Sequence, residues 1–182
     1  ADALREAGGT QIGLSNGFRF GTPILPGPIT EADLWNILPI STPLKTGVVT
    51  GRQLRDFWEQ ELENVFAKDP ERLFGGWLPR PSGMTLRFRK DAPKGSRVIA
   101  IDVGGEPLRD DALYTVTACE REGDTPDKLC RIPGVRDTKV LDLDAHEAVR
   151  RHLAKPPDIR APDEVRVVAT DVPGVLRTQA PR

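Results

Sequence analysis

The residues best suited to gripping an anion stand together early in the chain. Asn16, Gly17, Phe18, Arg19 and Phe20 fall inside LSNGFRFGTPILPGPIT, a stretch from Leu14 to Thr30 that holds three glycines and three prolines. A guanidinium on a Gly-rich turn after a strand sits beside open backbone N–H groups, and together they can hold a phosphate, sulfate or carboxylate. Phe18 and Phe20 flank Arg19, so either ring can stack on a ligand or on another domain. The plainer alternative is a tight turn in which Asn16 and Gly17 supply positive φ and a phenylalanine packs beneath.

The other reactive side chains form weaker patterns. Glu122, Gly123 and Asp124 make an acidic cluster in a loop after a strand end, and Asp124 is the candidate substrate contact there. Cys119 and Cys130 enclose ten residues and are not a CxxC pair, which leaves zinc and thioredoxin chemistry without support. A disulfide between them would contribute about 3 kcal/mol through loop closure, and two free, half-buried thiols are the alternative. His146 and His152 lie six residues apart on one predicted helix, about 240° around its axis, so they cannot share a metal. Both are expected to be exposed or half-buried on a surface helix. HExxH, Walker and GxSxG sequences are all missing. No catalytic or metal-ligating residue is therefore assigned to this chain.

The elements that must position these residues alternate between helix and strand. ADALREAGG reads as a helix closed by Gly8 or Gly9, and Gln11 to Leu14 as a short strand running into the Arg19 loop. Thr30 with Asp33 resembles a capping box and starts a helix through Ile37 that Pro39 helps to end. PLKTGVVT is a strand, and Thr50 with Gln53 is a second capping box. The helix that follows carries Leu54, Phe57, Trp58, Leu62 and Val65 on one face, with Glu59, Glu61 and Glu63 expected in solvent. Pro and Gly density from Asp69 to Ser82 argues for a long loop with exposed aromatics.

MTLRFR, SRVIAIDV, LYTVTAC, TKVLDL and EVRVVAT read as strands. Asp144 with Glu147 opens a last helix that carries Ala148, Val149 and Leu153 and stops at KPP. Consecutive strands mixed with helix-separated ones give an α+β class: a single domain over residues 1–170 with a mixed β-sheet and packed helices, then a flexible tail over 171–182.

Composition narrows the function classes. The 182 residues suit one domain, and 38% apolar and 29% charged residues with a net charge of -1 describe an ordinary globular chain. No basic excess draws it to nucleic acid. No apolar stretch reaches the roughly twenty residues of a membrane span, and no signal peptide is visible. The first residues read as the last turns of a helix, so a piece of a longer protein is expected.

Taken in order, these segments resemble the C-terminal domain of the 5′-nucleotidase family. The likeness rests on the Asn-Gly-x-Arg block, GPITEADLWNILP, TGRQLRDFWEQ, RPSGMTLRF, GSRVIAIDVGGEPLRDDALYTV and DEVRV. It implies an upstream metallophosphoesterase domain that holds two divalent metals and the catalytic His-Asp dyad. This chain would then bind the leaving portion of the substrate, with Asn16 and Arg19 facing it. It also implies a periplasmic or extracellular setting, and no activity for this fragment alone.

Two departures matter. The family sandwiches a nucleobase between two aromatics, but Ile40 stands at the first position, and the second loop reads ACEREGD without an aromatic. GFRFGT, ILPG and the GGW segment look more like the sulfur-oxidation thiosulfohydrolase branch, which cleaves a sulfonate from a carrier arm. The expected function is thus substrate recognition in a two-domain hydrolase of phosphoric or related anionic esters, in nucleotide catabolism. A thiosulfohydrolase-like domain and a non-catalytic module that binds an anion or a protein are the alternatives.

Overall fold

The computed structural model describes residues 1–16, 23–75, 77–155 and 164–172. Helix α1 (Asp2–Gly8) ends at Gly9, whose φ of 62° is the left-handed cap position that glycine occupies without steric cost. Gly8 is needed for a different reason: a Cβ there would meet the Thr117 hydroxyl at 1.9 Å. Strand β1 (Ile12–Ser15) follows, then α2 (Glu31–Ile37) and β2 (Pro43–Thr50). Both predicted capping boxes form. Thr30 accepts from the Asp33 N–H at 3.2 Å and Thr50 from the Gln53 N–H at 3.2 Å, and each partner side chain returns the bond.

Helix α3 (Gly51–Phe66) buries Leu54, Phe57, Trp58 and Leu62, as the 3.6-residue period requires. Its glutamates are not a solvated face. Glu61 and Glu63 are buried and Glu59 is half-buried. Residues two apart on a helix point in different directions, so these carboxylates meet separate partners. Glu61 pairs with Arg131 and Glu63 with Arg97 at 2.5 Å, while Glu59 accepts the backbone N–H groups of Arg97 and Val98. Alternating charge in the sequence hid two interior ion pairs.

The predicted long loop contains a short 3-10 turn at Pro70–Arg72 and strand β3 (Arg80–Ser82), and it leaves Phe74 and Trp77 exposed as expected. Then come β4 (Met84–Phe88), β5 (Val98–Val103), β6 (Glu106–Pro107), β7 (Leu113–Cys119), β8 (Arg136–Asp144), α4 (Ala145–Leu153) and β9 (Val167–Ala169). The strands form two mixed sheets, one ordered β3-β1-β7-β2-β8 and the other β6-β5-β4-β9. Within the first, β1 runs parallel to β7, and the pairs β1–β3, β7–β2 and β2–β8 are antiparallel.

Period-2 alternation sends successive residues of a strand to opposite faces. Val49 of β2 and Val116 of β7 therefore join α3 and the second sheet in the main core, while Leu44 of β2 packs with α1 and α4. Asp171, the first residue of the expected tail, is tied to the β4–β5 connection. The Asp171 carboxylate accepts the backbone N–H groups of Lys90 and Asp91 at 3.0 and 2.9 Å. Residues 173–182 lie outside the described part.

Candidate functional site

A cavity of about 360 Å³ opens at one end of the five-stranded sheet. Its position follows from the parallel pair. β1 and β7 end side by side, so Ser15 and Asn16 from one, and Cys119 to Glu122 from the other, reach its wall together. Ligands of open α/β sheets gather at the carboxyl ends of parallel strands for the same reason. The rim opposite is Leu38, Pro39, Ile40 and Thr42, between α2 and β2. Leu4, Leu14, Ala118 and Ala145 supply apolar lining, and Cys130 and Arg131 complete the wall.

Several of these groups are tied from behind. Lys45 is buried, and its ammonium lies 3.8 Å from Glu120 and 3.4 Å from the Thr125 carbonyl. The Arg131 guanidinium donates to Glu61 from Nε at 2.8 Å and from Nη2. Cys130 and Arg131 occupy a two-residue turn with φ of 50° and 73°, closed by reciprocal backbone hydrogen bonds between Leu129 and Ile132. Positive φ at both central residues is the type I′ arrangement, usually filled by Asn-Gly, so this turn holds strain beside the cavity. Arg121 and Glu122, in contrast, are exposed at the mouth.

The sequence-predicted residues divide three ways. Asn16 lines the cavity. Gly17, Phe18, Arg19 and Phe20 lie outside the described residues, in the segment that β1 and Asn16 lead into. Asp124 is not on the cavity wall: its carboxylate pairs with Lys128 at 3.1 Å, and its neighbour Glu122 takes the lining position.

Cys119 and Cys130 are free thiols in the structure, and both line the cavity. Burial pushes the Cys119 thiol up, and pushes that of Cys130 up to about 12, so both are neutral near pH 7. His146 is not exposed or half-buried but buried, with its Nε2 2.6 Å from the Leu38 carbonyl. His152 sits near the surface, with Nδ1 2.7 Å from Glu6.

Sequence reading missed Thr42, Arg121, Cys130 and Arg131 as walls of this site. No short motif joins them; their only common signal is that each lies within three residues of a strand end or tight turn. Ile40, identified as the place of a missing aromatic, does stand at the rim, and none of the described lining residues is aromatic. Among the described residues no group of three or more His, Cys, Asp or Glu side chains could hold a metal ion, and no helix is long and apolar enough to cross a membrane.

Comparison with known proteins points one way. A trifunctional nucleotide phosphoesterase of Bacillus subtilis, YfkN, is 29% identical over 99 residues, which are 54% of this chain and 6% of that protein. The endonuclease YhcR of the same organism is 31% identical over 117 residues, 64% of this chain and 9% of its own length. Among solved structures, the sulfate thiohydrolase SoxB of Thermus thermophilus superposes with a TM-score of 0.73 at 24% identity, covering 94% of this chain and 31% of that one. The chain thus spans less than a tenth of the curated relatives and about a third of the solved one. Residues 1–120 match the family model described as 5′-nucleotidase, C-terminal domain, and the chain belongs to that family.

Proposed function

We propose that this chain is the substrate-recognition domain of a two-domain hydrolase of anionic esters, and that the cavity between the β1–β7 end and the Leu38–Thr42 rim receives the leaving portion of the substrate. What supports this most is the cavity's place: Asn16 lines it, and Asn16 leads directly into the Arg19 segment. The described residues do not fit a two-metal centre. The metals are assigned to an upstream metallophosphoesterase domain, and no bond-breaking step is assigned to this chain. Its contribution is binding and orientation, which lower the barrier by fixing the reacting group relative to a partner. Arg121 supplies positive charge for a tetrahedral oxyanion and Leu4, Leu14 and Ala145 accept an apolar part, with Arg19 assigned from its place in the sequence as a second cation.

No described lining residue is aromatic, and that gives a second reading its ground. A nucleobase that finds no ring among the described lining residues forgoes about 1–3 kcal/mol of stacking there, so a carrier-bound sulfonate of the thiosulfohydrolase kind becomes an alternative occupant. Nucleic acid is the less favoured occupant, despite the endonuclease name of one relative, because the net charge is -1. Export to the periplasm or cell exterior accompanies this reading and is checked by cell fractionation.

The test is hydrolysis by the full-length parent, with and without added divalent metal, across a panel of nucleotides, thiosulfonates and single-stranded DNA. Arg19→Ala is expected to change the ranking of substrates, and Ile40→Phe to lower KM for nucleotides by about 5- to 100-fold. Turnover by residues 1–182 alone, or rankings indifferent to both substitutions, overturns the proposal.

A further inference from the structure

The cavity rim from Leu38 to Thr42 has no helix or strand pairing of its own. It is held instead by the beginning of α4. The Ala145 N–H donates to the Thr42 carbonyl at 3.2 Å and the His146 N–H donates to the Ser41 hydroxyl at 3.3 Å. The third tie is a side chain: His146 Nε2 lies 2.6 Å from the Leu38 carbonyl. A carbonyl only accepts, so Nε2 carries the proton. The same imidazole and the Trp35 ring stand edge to face, with centroids 4.2 Å apart and planes at 89°. The ring therefore touches α2 and the rim at once, from an interior position that leaves it 1% exposed.

We propose that His146 is a positioning residue for ligand selection: it does not line the cavity, yet it fixes the rim that carries Ile40 over the mouth. A buried histidine bonded to a carbonyl usually serves packing alone. Here the carbonyl belongs to a segment outside any helix or strand, whose next two residues, Pro39 and Ile40, form the cavity wall. Removing the donor leaves the Leu38 carbonyl unpartnered on that side, which costs more than the net worth of the bond and frees the segment to move. This inference rests on the cavity being the ligand site.

The experiment uses the full-length parent carrying His146→Phe, His146→Gln or Ser41→Ala, with Ile40→Phe as an independent probe of the cavity. Glutamine can place an amide N–H where Nε2 stood, and phenylalanine cannot. Hydrogen exchange of peptides covering 34–42 is expected to quicken about tenfold in His146→Phe, less in Ser41→Ala, and to return near wild type in His146→Gln, while peptides over 84–103 stay unchanged. With adenosine 5′-monophosphate and p-nitrophenyl phosphate as probes, His146→Phe is expected to shift the ratio of their KM values about fivefold or more, with kcat little changed.

Exchange that is indifferent to His146→Phe, or identical for the Phe and Gln variants, overturns the inference. So does a KM ratio that moves in Ile40→Phe but not in His146→Phe. If neither substitution moves it, the cavity reading itself fails. If His146→Phe does not fold, the Gln and Ser41→Ala variants carry the same comparison.

Discussion

Arg131→Ala removes both hydrogen bonds that the guanidinium donates to Glu61. The Glu61 side chain is only 4% exposed, and what remains for it is the Asn64 amide at 3.4 Å. Breaking a buried ion pair from one side costs about 3–5 kcal/mol, because the surviving charge stays desolvated. The Arg131 side chain is 28% exposed, so water reaches that end of the pair and the lower figure, about 3 kcal/mol, applies. For a chain of this size that corresponds to a fall in Tm of about 6–12 °C.

The backbone adds a second, separable quantity. Arg131 has φ 73°, which costs a residue with a Cβ about 1 kcal/mol or more and glycine nothing. Arg131→Gly should therefore be about 1 kcal/mol less damaging than Arg131→Ala, although glycine also loosens the unfolded chain and reduces the gap. Urea titrations followed by tryptophan fluorescence measure both, and a cycle with Glu61→Leu should show a coupling of about 2 kcal/mol. A loss below about 1 kcal/mol for Arg131→Ala, together with a coupling near zero, would refute the assignment of Glu61 and Arg131 as an interior pair holding the cavity wall.

Three further outcomes are expected. Burial alone would raise the Asp2 carboxyl, but hydrogen bonds from Arg166 and Ser82 bring it down to about 2 from an ordinary 3.8. Its contribution to stability is therefore full above 3.8 and lost as pH falls through about 2, so the stability gap between the wild type and Asp2→Asn should close over that window; a gap that widens on acidification contradicts the pairing. Cys130, pushed up to about 12 by burial, should resist iodoacetamide at pH 8 far longer than in urea, with Cys119 intermediate; mass spectrometry reads both rates, and a bridged pair would show neither adduct without reductant. Thr50→Ala should cost about 1 kcal/mol in a denaturant titration by opening the α3 capping box, and a neutral result would remove that cap from the account.

Much of the scaffold was legible along the chain because its signals are local. Thr30 with Asp33, Thr50 with Gln53 and Gly9 act within one turn, and the 3.6-residue period of Leu54, Phe57, Trp58 and Leu62 marks the buried face without reference to anything distant. The position of Asn16 at the end of β1 was also readable, since a strand running into a glycine-bearing loop is a local pattern, whereas Ile40 drew notice only through the resemblance to the 5′-nucleotidase family. Partnership over long separations was not readable. Nothing adjacent to Glu61 announces Arg131, seventy residues away, and His146 looks like a surface residue until Leu38 is brought against it from 108 residues off. The Leu38 contact exists because β2 and β8 pair in one sheet, with Pro43 opposite Asp144, so that the stretch before one strand meets the helix after the other. Sheet order is decided by which strands exclude the most apolar surface together, a property of the whole chain that no short window contains.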